Sequence, residues 1–425
     1  MDRFVIEGGS PLKGDVTISG AKNAALPIMA AALLTSQPCV IRRVPDLSDI
    51  RFMARILQSL GARVRFERGT LTIHAEDVKP FGDYDLVRKM RGSICIMGPL
   101  LGRLREAQVA LPGGCAIGVR PIDLHLKGFR ALGATIEITG GYVHARAQQL
   151  TGTEIFLGGR AGPTVLGTAN LMMAATLAEG TTVIDSAACE PEIVDLADFL
   201  TAMGARISGA GSPVITITGV KELHGADHEV IADRIEAATY AIAAAATQGC
   251  VTLHGARADH MQAVLDKLRE AGVTLERLGP SLRVTREGPL RPVDLTTQPY
   301  AGFPTDVQAQ MMALMCMAPG TSVITERIFE SRFMHAAELM RLGADILIEG
   351  PSAIVKGVPR LNGAEMMAGD LRASAALVIA ALAASGTSEI LRVYHIDRGY
   401  ENIDGKLQGL GAKLKRVSET AAPPE

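Results

Sequence analysis

Apolar and polar residues follow a pattern that repeats six times along the chain. In each repeat an amphipathic helix ends at a glycine, and a β-branched strand follows directly. The signatures are SLGARV, ALGATI, AMGARI, EAGVTL, RLGADI and GLGAKL, with central glycines Gly61, Gly133, Gly204, Gly272, Gly343 and Gly411. Glycine suits this place because it adopts the left-handed conformation that ends many helices. The separations of 72, 71, 68, 71 and 68 residues divide the whole sequence into six similar units.

A second and more apolar helix is predicted upstream of most signatures. The clearest cases are Pro27 to Leu34, Leu171 to Ala178, Ala237 to Ala246, Gln308 to Met317 and Ala373 to Ala384. Most of these run into a glycine and a short strand, so the repeating unit reads β-α-β-α-β-β. Because the second helix is apolar on most faces, we expect it to be buried and the amphipathic helix to lie outside.

Six repeats also suggest a solenoid, which is the alternative architecture. Solenoid repeats usually have about 20 to 50 residues and contact only their neighbours. Units of about 71 residues with their own helices and strands favour three units closing around buried helices. The pattern therefore predicts an α/β protein of two inside-out globules, each built from three βαβαββ repeats.

Composition narrows the class of protein. Hydrophobic residues make up 48% of the 425, charged residues 21%, and the net charge is −2. This balance is typical of a globular enzyme and gives no global basic field for nucleic acid or an anionic membrane. No apolar run approaches the ~18 residues that span a bilayer, and the first ten residues lack the features of an export signal. We expect a cytoplasmic protein without nucleic-acid or membrane partners.

Polar or charged clusters precede the buried helices. They are SGAKNAA (19–25), RKMRGS (88–93), GPTVLGT (162–168), ADRIEA (232–237), FPTDVQA (303–309) and GDLRAS (369–374). Helix N-termini carry unpaired N–H groups and favour anions, so six of them would form a site for phosphates and a carboxylate if they converge. The alternative for each cluster is simple helix capping. The sequence has no P-loop or dinucleotide-binding fingerprint.

Six cysteines are scattered without CxxC spacing, which argues against a zinc site or a disulfide framework. Cys115 differs from the others because three glycines surround it and Arg120 follows. Nearby positive charge favours the thiolate, so this segment has the features of a reactive thiol, although a lone cysteine is more often a small buried side chain. We assign that buried apolar role to the rest, in helices or strands: Cys39, Cys95, Cys189, Cys250 and Cys316.

Asp306 begins a predicted helix in FPTDVQA. It either caps that helix or acts as a general base, and the sequence leaves both open. His224 and His228 are four residues apart, but Gly225 argues against a helix there. We expect no metal site.

At these residues the chain resembles the UDP-N-acetylglucosamine 1-carboxyvinyltransferases, a family of enolpyruvyl transferases. The motifs that carry the resemblance are SGAKNAALP, PGGCAIGVRPIDLH, TLAEGTTVID with EPEIVDLADFL, GFPTDVQAQ, ERIFESRF and HIDRGYENI. They span Ile6 to about Leu410. A sibling family that acts on shikimate 3-phosphate is expected to have a PGDKS-like first loop where this chain has SGAKN.

The resemblance implies a fold and a reaction. The first globule would comprise residues 1–21 plus 231–425, and the second would comprise 22–230 with the Cys115 loop. The enolpyruvyl group of phosphoenolpyruvate would move to the 3-hydroxyl of UDP-N-acetylglucosamine by addition and elimination, releasing phosphate. This is the first committed step of peptidoglycan synthesis, and it needs no cofactor.

The resemblance also implies the roles of single residues. Cys115 would protonate C3 of phosphoenolpyruvate and form a covalent adduct, and Asp306 would take the proton of the sugar hydroxyl. The cations implied to hold the phosphate are Lys22, Arg120 and Arg398, and those for the carboxylate or the closed state are Arg332 and Arg372. The other implied substrate contacts are Asn23, Arg91, Pro121, Ile122, Asp123, Leu124, Thr164, Val165, Ile328 and Asp370.

One departure from the family concerns TVLGT, where Leu166 replaces a usual glycine in a segment expected to line the uridine site. Because Cys115 is retained, we expect alkylation by an epoxide of the fosfomycin type. The alternatives are transfer to shikimate 3-phosphate, a non-catalytic protein that senses a nucleotide sugar, and a paralogue that uses another uridine nucleotide.

Overall fold

A computed structural model describes residues 2–81, 90–111 and 122–418. The α-helices, in chain order, are α1 (Lys22–Ala31), α2 (Ser48–Ser59), α3 (Met97–Leu104), α4 (Asp123–Ala131), α5 (Val165–Ala175), α6 (Pro191–Ala202), α7 (Arg234–Ala246), α8 (Gln262–Glu270), α9 (Gln308–Met315), α10 (Met334–Arg341), α11 (Ala373–Ala383) and α12 (Ile403–Gly409). Short 3₁₀ turns cover Ala32–Leu34, Arg91–Ile96, Ala258–Met261, Thr305–Val307 and Val393–Arg398.

Twenty-five strands complete the described secondary structure. They are β1 (Asp2–Glu7), β2 (Lys13–Thr17), β3 (Cys39–Arg42), β4 (Arg63–Glu67), β5 (Thr70–His74), β6 (Glu106–Ala110), β7 (Thr135–Thr139), β8 (Tyr142–Arg146), β9 (Glu154–Phe156), β10 (Gly158–Gly159), β11 (Gly162–Pro163), β12 (Thr181–Asp185), β13 (Arg206–Ser208), β14 (Val214–Thr218), β15 (Asp227–Glu229), β16 (Cys250–His254), β17 (Thr274–Leu278), β18 (Ser281–Thr285), β19 (Leu295–Thr296), β20 (Thr321–Thr325), β21 (Asp345–Glu349), β22 (Ser352–Lys356), β23 (Glu365–Met367), β24 (Thr387–Leu391) and β25 (Lys413–Ser418).

The described chain forms two compact units. Unit 1 contains residues 2–19 and 232–418, and unit 2 contains the described residues from 20 to 111 and from 122 to 231. We keep the predicted division into two folding domains, 1–21 plus 231–425 and 22–230, as a proposal.

Unit 1 contains three four-stranded sheets with one common plan. Their strand orders are β2-β16-β18-β17, β19-β20-β22-β21 and β23-β24-β1-β25. In each sheet the first two strands are parallel, and the next two pairs are antiparallel. In the third sheet the N-terminal strand β1 takes the position that the second strand of a local hairpin takes in the other two. The first residues of the chain therefore complete its last repeat.

Unit 2 repeats this plan. Two of its sheets, β9-β12-β14-β13 and β15-β3-β5-β4, have the same order of parallel and antiparallel pairs. Among the described residues, the third sheet has the strands β6-β8-β7, and a parallel bridge from Phe81 to Gln108 lies at the position of the first strand. Strands β10 and β11 form a separate small pair.

The apolar helices lie inside each unit, as the sequence predicted. In unit 1, α7, α9 and α11 pack against one another, and nearly all of their residues are buried. In unit 2, α1, α3 and α5 have the same place. The amphipathic helices bury one face only; α10, for example, buries His335, Ala336 and Leu339. Each unit is therefore inside-out, with its most apolar helices at the centre and its sheets around them.

In the part of the chain that the structure describes, no helix has both the length and the apolar character needed to cross a membrane.

Candidate active site

In unit 1, a buried arginine holds Asp306 at the turn that leads into α9. Arg332 Nη1 donates hydrogen bonds to Asp306 Oδ1 over 2.8 Å and to Thr305 Oγ1 over 3.0 Å. Arg332 is only 5% exposed. Burial disfavours its charge, but Asp306 and Asp370 outweigh that effect, and the pKa of Arg332 is raised. The guanidinium is a permanent cation, and at this distance it favours the ionised form of the Asp306 carboxylate.

A second buried arginine approaches the other carboxylate oxygen. Arg372, at 1% exposure, lies with its Nε 4.0 Å from Asp306 Oδ2. Its Nη2 donates to Asp233 Oδ2 over 3.2 Å, its Nη1 donates to the carbonyl of Gly399 over 2.9 Å, and its guanidinium stacks over the ring of Tyr400. Burial works against the charge, but Asp233 and its other neighbours outweigh it and raise the pKa of Arg372. Unit 1 thus holds two desolvated cations next to one partly exposed carboxylate.

Asp370 and Asp233 both cap helices in unit 1. Asp370 Oδ1 accepts from the amides of Arg372 and Ala373 at the start of α11, and it lies 3.5 Å from Arg332 Nη2. Burial tends to raise the pKa of Asp370, but Arg332 and the two amides outweigh it, and that pKa is lowered. Asp233 accepts from two amides at the start of α7. The capping alternative is therefore right for these aspartates, and each also binds an arginine.

Arg398 and Ile328 lie in other parts of unit 1. Arg398 ends the 3₁₀ turn Val393–Arg398 and is half-buried. The pKa of His395 is lowered mainly by burial and secondly by the positive charge of Arg398. Ile328 is half-buried, and its amide donates to Glu326 Oε1 over 2.8 Å.

Glu326 is a residue that the sequence analysis did not select, although it begins the motif ERIFESRF. It is fully buried and accepts four hydrogen bonds, from the hydroxyls of Thr297 and Thr305 and from the amides of Ile328 and Phe329. Its position directly after the strand β20 could have drawn attention to it, because a carboxylate at the end of a buried strand needs several hydrogen-bond donors.

In unit 2, the first helical residue is a buried lysine. Lys22 Nζ lies 2.7 Å from Asp49 Oδ2, and the two side chains are 7% and 9% exposed. A lysine at a helix N-terminus opposes the helix dipole, so a carboxylate close by is a necessary partner. Asp49 was also missed by the sequence analysis. The next residue, Asn23, is exposed.

The start of α4 combines buried and exposed side chains. Ile122 is buried, Asp123 is exposed and Leu124 is half-buried. The following residue, His125, accepts at Nδ1 from Asn170 Nδ2 over 3.0 Å. Asn170 also donates to the carbonyl of Ile94 and accepts from the amide of Gly98, so one buried amide links α3, α4 and α5.

The TVLGT segment forms the start of α5. Thr164 is the N-cap, and its hydroxyl accepts from the amide of Gly167 over 3.2 Å. A Cβ at Gly167 would lie 2.3 Å from Thr164 Cγ2, so a larger residue there would displace the capping side chain. Val165 is exposed, and Leu166 is half-buried against the core of unit 2. Leu166 therefore packs inward, and the close approach of the backbone falls at Gly167.

Cys115, Arg120 and Pro121 lie outside the described residues, as does the side chain of Arg91. Their roles stay predictions. Of the other cysteines, Cys39, Cys95 and Cys316 are buried, and burial raises the pKa of the Cys95 and Cys316 thiols to about 12. The expectation of a buried apolar place in a helix or strand was wrong for Cys189, which is half-buried in a loop. Cys250 lies in β16 but is also only half-buried.

Over residues 2–81, 90–111 and 122–418, no group of three or more His, Cys, Asp and Glu side chains is arranged to hold a metal ion. His228 binds Asp195 Oδ1 at 2.8 Å, and His224 binds the carbonyl of Gly225.

Comparison with solved structures identifies the fold. The enolpyruvyl transferase NikO from Streptomyces tendae superposes with a TM-score of 0.90 at 27% identity, covering 98% of this chain and 99% of that one. The EPSP synthase from Acinetobacter baumannii gives a TM-score of 0.73 at 20% identity over 98% of this chain and 100% of that one. The predicted fold class is thereby confirmed.

Comparison of sequences covers nearly the whole chain. A sequence model of the family described as EPSP synthase (3-phosphoshikimate 1-carboxyvinyltransferase) matches residues 6–407. A UDP-N-acetylglucosamine 1-carboxyvinyltransferase from Methylacidiphilum infernorum is 57% identical over 98% of this chain and 99% of its own length. One from Maricaulis maris is 55% identical over 99% of this chain and 100% of its own length. The chain therefore belongs to the EPSP synthase family of enolpyruvyl transferases, within the group of UDP-N-acetylglucosamine 1-carboxyvinyltransferases.

Proposed function

We propose that this protein transfers the enolpyruvyl group of phosphoenolpyruvate to the 3-hydroxyl of UDP-N-acetylglucosamine and releases phosphate. The observation that carries the chemistry is the partly exposed carboxylate of Asp306, bound by the buried Arg332 and close to the buried Arg372. The choice of acceptor rests on the full-length relatives of that name at 52–57% identity. Two fixed cations beside a carboxylate suit a reaction between an anionic substrate and a hydroxyl group.

The first step of the proposed mechanism is an addition. Asp306 accepts the proton of the sugar 3-hydroxyl as its oxygen bonds to C2 of phosphoenolpyruvate, and Cys115 delivers a proton to C3. The carbon–carbon double bond becomes a single bond, and C2 carries the sugar oxygen, the phosphate, the carboxylate and a methyl group. In a parallel route the Cys115 S–H bond breaks, its sulfur bonds to C2, the C2–C3 double bond becomes single and a proton adds to C3, which gives a covalent adduct.

The second step is an elimination. The C3 methyl group returns a proton to the Cys115 thiolate, the double bond forms again between C2 and C3, and phosphate leaves with the electron pair of its bond to C2. Lys22, Arg120 and Arg398 would bind the phosphate, and Arg332 and Arg372 would bind the carboxylate. Of the described members of this set, Lys22, Arg332 and Arg372 are buried and Arg398 is half-buried. A desolvated cation stabilises developing negative charge more than a solvated one does.

The acceptor would be recognised by polar and backbone groups. We assign contacts with the nucleotide sugar to Asn23, Arg91, Pro121, Ile122, Asp123, Leu124, Thr164, Val165, Ile328 and Asp370. Leu166 packs toward the core, so the altered TVLGT segment leaves Thr164 and Val165 available. The proposed setting is the cytoplasm and the first committed step of peptidoglycan synthesis, and hence cell-wall growth, cell shape and division. The free cysteines among the described residues are consistent with a reducing compartment.

Phosphate release with phosphoenolpyruvate and UDP-N-acetylglucosamine tests the reaction. We expect turnover by the wild type, a loss of at least about 100-fold in kcat for Asp306→Asn because the general base is removed, and no change for Asp345→Asn. Asp345 is an exposed carboxylate on β21 and serves as the control. A wild type that releases no phosphate with this acceptor would contradict the proposal.

Alkylation of Cys115 tests its assignment as the reactive thiol. An epoxide of the fosfomycin type should stop turnover and add its mass to the peptide that contains Cys115. Full activity after complete modification of that peptide would show that the thiol takes no part in the reaction.

Shikimate 3-phosphate is the alternative acceptor, and a sensor without activity is the alternative role. The relatives at 52–57% identity favour neither.

A further inference from the structure

The carboxylate of Glu326 lies close to the proposed catalytic groups of unit 1, but it has no role in the proposed mechanism. Its Oε1 accepts from the Thr297 hydroxyl over 2.6 Å and from the amides of Ile328 and Phe329 over 2.8 and 3.0 Å. Its Oε2 accepts from the Thr305 hydroxyl over 2.9 Å. Burying a carboxylate completely is costly unless its oxygens are satisfied, and four donors satisfy them here.

The position of Glu326 differs from the same position in four of the other five repeats; the exception is Leu111 after β6, which also lacks a positive φ. The residue directly after the corresponding strand has a left-handed backbone in four of them: Arg43, Ser186, Gly255 and Arg392. Glu326 follows β20 at this place and is absent from the described residues with positive φ. The fifth repeat therefore leaves its strand along a different path, which the side chain of Glu326 stabilises by binding the two amides that follow.

Glu326 reaches Asp306 through one hydroxyl group. Thr305 has a single hydroxyl proton, and it donates this proton to Glu326. Its oxygen is then free to accept from Arg332 Nη1, the same nitrogen that donates to Asp306 Oδ1. A second link runs through Phe329, whose ring lies 5.9 Å from the Arg332 guanidinium. Both links end at Arg332, the group that fixes the proposed base.

We propose that Glu326 is a positioning residue that sets the geometry of Asp306 through Thr305 and Arg332 and holds the Ile328 segment in place. The inference rests on the proposed function, since Asp306 and Ile328 have their roles there. Glu326 itself touches neither the substrates nor the reacting atoms in this account.

Glu326→Gln is the first test because it preserves shape but changes the polarity of one hydrogen bond. The amide oxygen can keep the three donors at the Oε1 position, while the amide NH₂ now faces Thr305 and donates to it. The Thr305 oxygen then accepts two hydrogen bonds, one from the new amide and one from Arg332. Its own hydroxyl proton can no longer point toward residue 326. We expect kcat to fall about 10-fold because Asp306 is misplaced, and KM for phosphoenolpyruvate to rise by a smaller factor, because Arg332 keeps its contacts with Asp306 and Asp370.

A double-mutant cycle tests whether the effect passes through Thr305. Thr305→Val removes both hydrogen bonds of the hydroxyl and should also reduce kcat about 10-fold, whereas Thr305→Ser should restore it. If Glu326 acts through Thr305, the double variant loses about 10-fold and not the ~100-fold expected of independent residues. Thr305→Val also serves if Glu326→Gln fails to fold, because it leaves three bonds to Glu326 intact.

Asp294→Asn is the matched control. Asp294 is an exposed carboxylate that accepts from the amide of Val323 in β20, the same strand that precedes Glu326. Its removal should leave kcat unchanged. The inference is wrong if the double variant loses about 100-fold in kcat, or if the Glu326→Gln enzyme is as active as the wild type. Either result leaves the proposed function intact. A wild type inactive with both substrates would overturn the proposed function and this inference with it.

Discussion

Charged side chains buried in this protein are close to groups of opposite charge. Arg332 and Arg372 contact aspartates in unit 1, and Lys22 contacts Asp49 in unit 2. A buried charge is costly unless it is paired and hydrogen-bonded. The residues proposed to bind substrate anions are therefore held by carboxylates in the described chain, and removal of a carboxylate should affect stability as well as binding.

The Lys22–Asp49 pair gives the first prediction. Asp49→Asn removes the charge 2.7 Å from a buried ammonium and should lower the free energy of unfolding by about 3 kcal/mol. Asp46→Asn is the control, because Asp46 pairs with Arg51 at the surface. This substitution should lower the free energy of unfolding by less than about 1 kcal/mol. Urea unfolding followed by circular dichroism measures both. Equal losses in the two variants would argue against a special cost of the buried charge.

His335 gives a prediction of pH dependence. Burial and the neighbouring Arg332 lower the pKa of His335 to about 3, and neither ring nitrogen has a hydrogen-bond partner among the described residues. In the unfolded chain the pKa of this histidine is close to the ordinary value of 6.5. Between these values the unfolded state binds the proton and the folded state does not. The contribution of His335 to stability is therefore fully present above about pH 6.5 and is lost as the pH falls toward about 3.

Removal of the ring should make the protein less sensitive to acid. Between pH 7.5 and pH 5, His335 should cost the wild type about 2 kcal/mol of unfolding free energy, and His335→Leu should lack this loss. Unfolding of both proteins at the two pH values measures the difference. The same loss on acidification in both proteins would contradict the assignment of this titration to His335.

At the scale of elements, packing of the buried helices depends on small residues at their contacts. A Cβ at Gly98 in α3 would lie 2.3 Å from the carbonyl oxygen of Asn170 in α5. Gly409 in α12 offers a contrast, because a Cβ there meets no atom within 4 Å. The first glycine lets two helices approach, and the second has no such role.

Replacing these two helical glycines with alanine should have opposite effects on stability. Gly98→Ala should destabilise unit 2 by about 1 to 3 kcal/mol, since α3 and α5 must move apart. Gly409→Ala should stabilise the protein by about 0.5 to 1 kcal/mol, because alanine reduces the freedom of the unfolded chain. Thermal unfolding monitored by calorimetry measures both. A stabilising Gly98→Ala would show that the two helices do not need this close contact.

At the scale of the whole molecule, the six repeats were readable from sequence because each one carries its own local signals. The apolar helices and the glycine after each amphipathic helix were recognised without any knowledge of contacts. The parallel strands at the sheet edges, such as β9 and β15, are only three residues long and have no clear periodicity. The place of β1 between β24 and β25 joins residues about 400 positions apart, and no local pattern predicts that pairing.

The candidate site was predictable only in part, for a related reason. Asp306 and Lys22 stand in polar clusters at helix starts, so residue type and position drew attention to them. Arg332 was implied only by the resemblance to a known family. Asp49 and Glu326 acquire their roles from tertiary contacts, and in the sequence each looks like an ordinary acidic residue. Cys189 was misjudged because an apolar neighbourhood in the sequence does not ensure burial in the fold.

A competition experiment that offers both acceptors to the enzyme at once tests the proposed reaction. The wild type is given phosphoenolpyruvate with equal amounts of UDP-N-acetylglucosamine and shikimate 3-phosphate, and mass spectrometry identifies which acceptor carries the enolpyruvyl group. We expect the enolpyruvyl ether of the nucleotide sugar alone, with one phosphate released per product molecule. An enolpyruvyl group on shikimate 3-phosphate, or on neither acceptor, would contradict it.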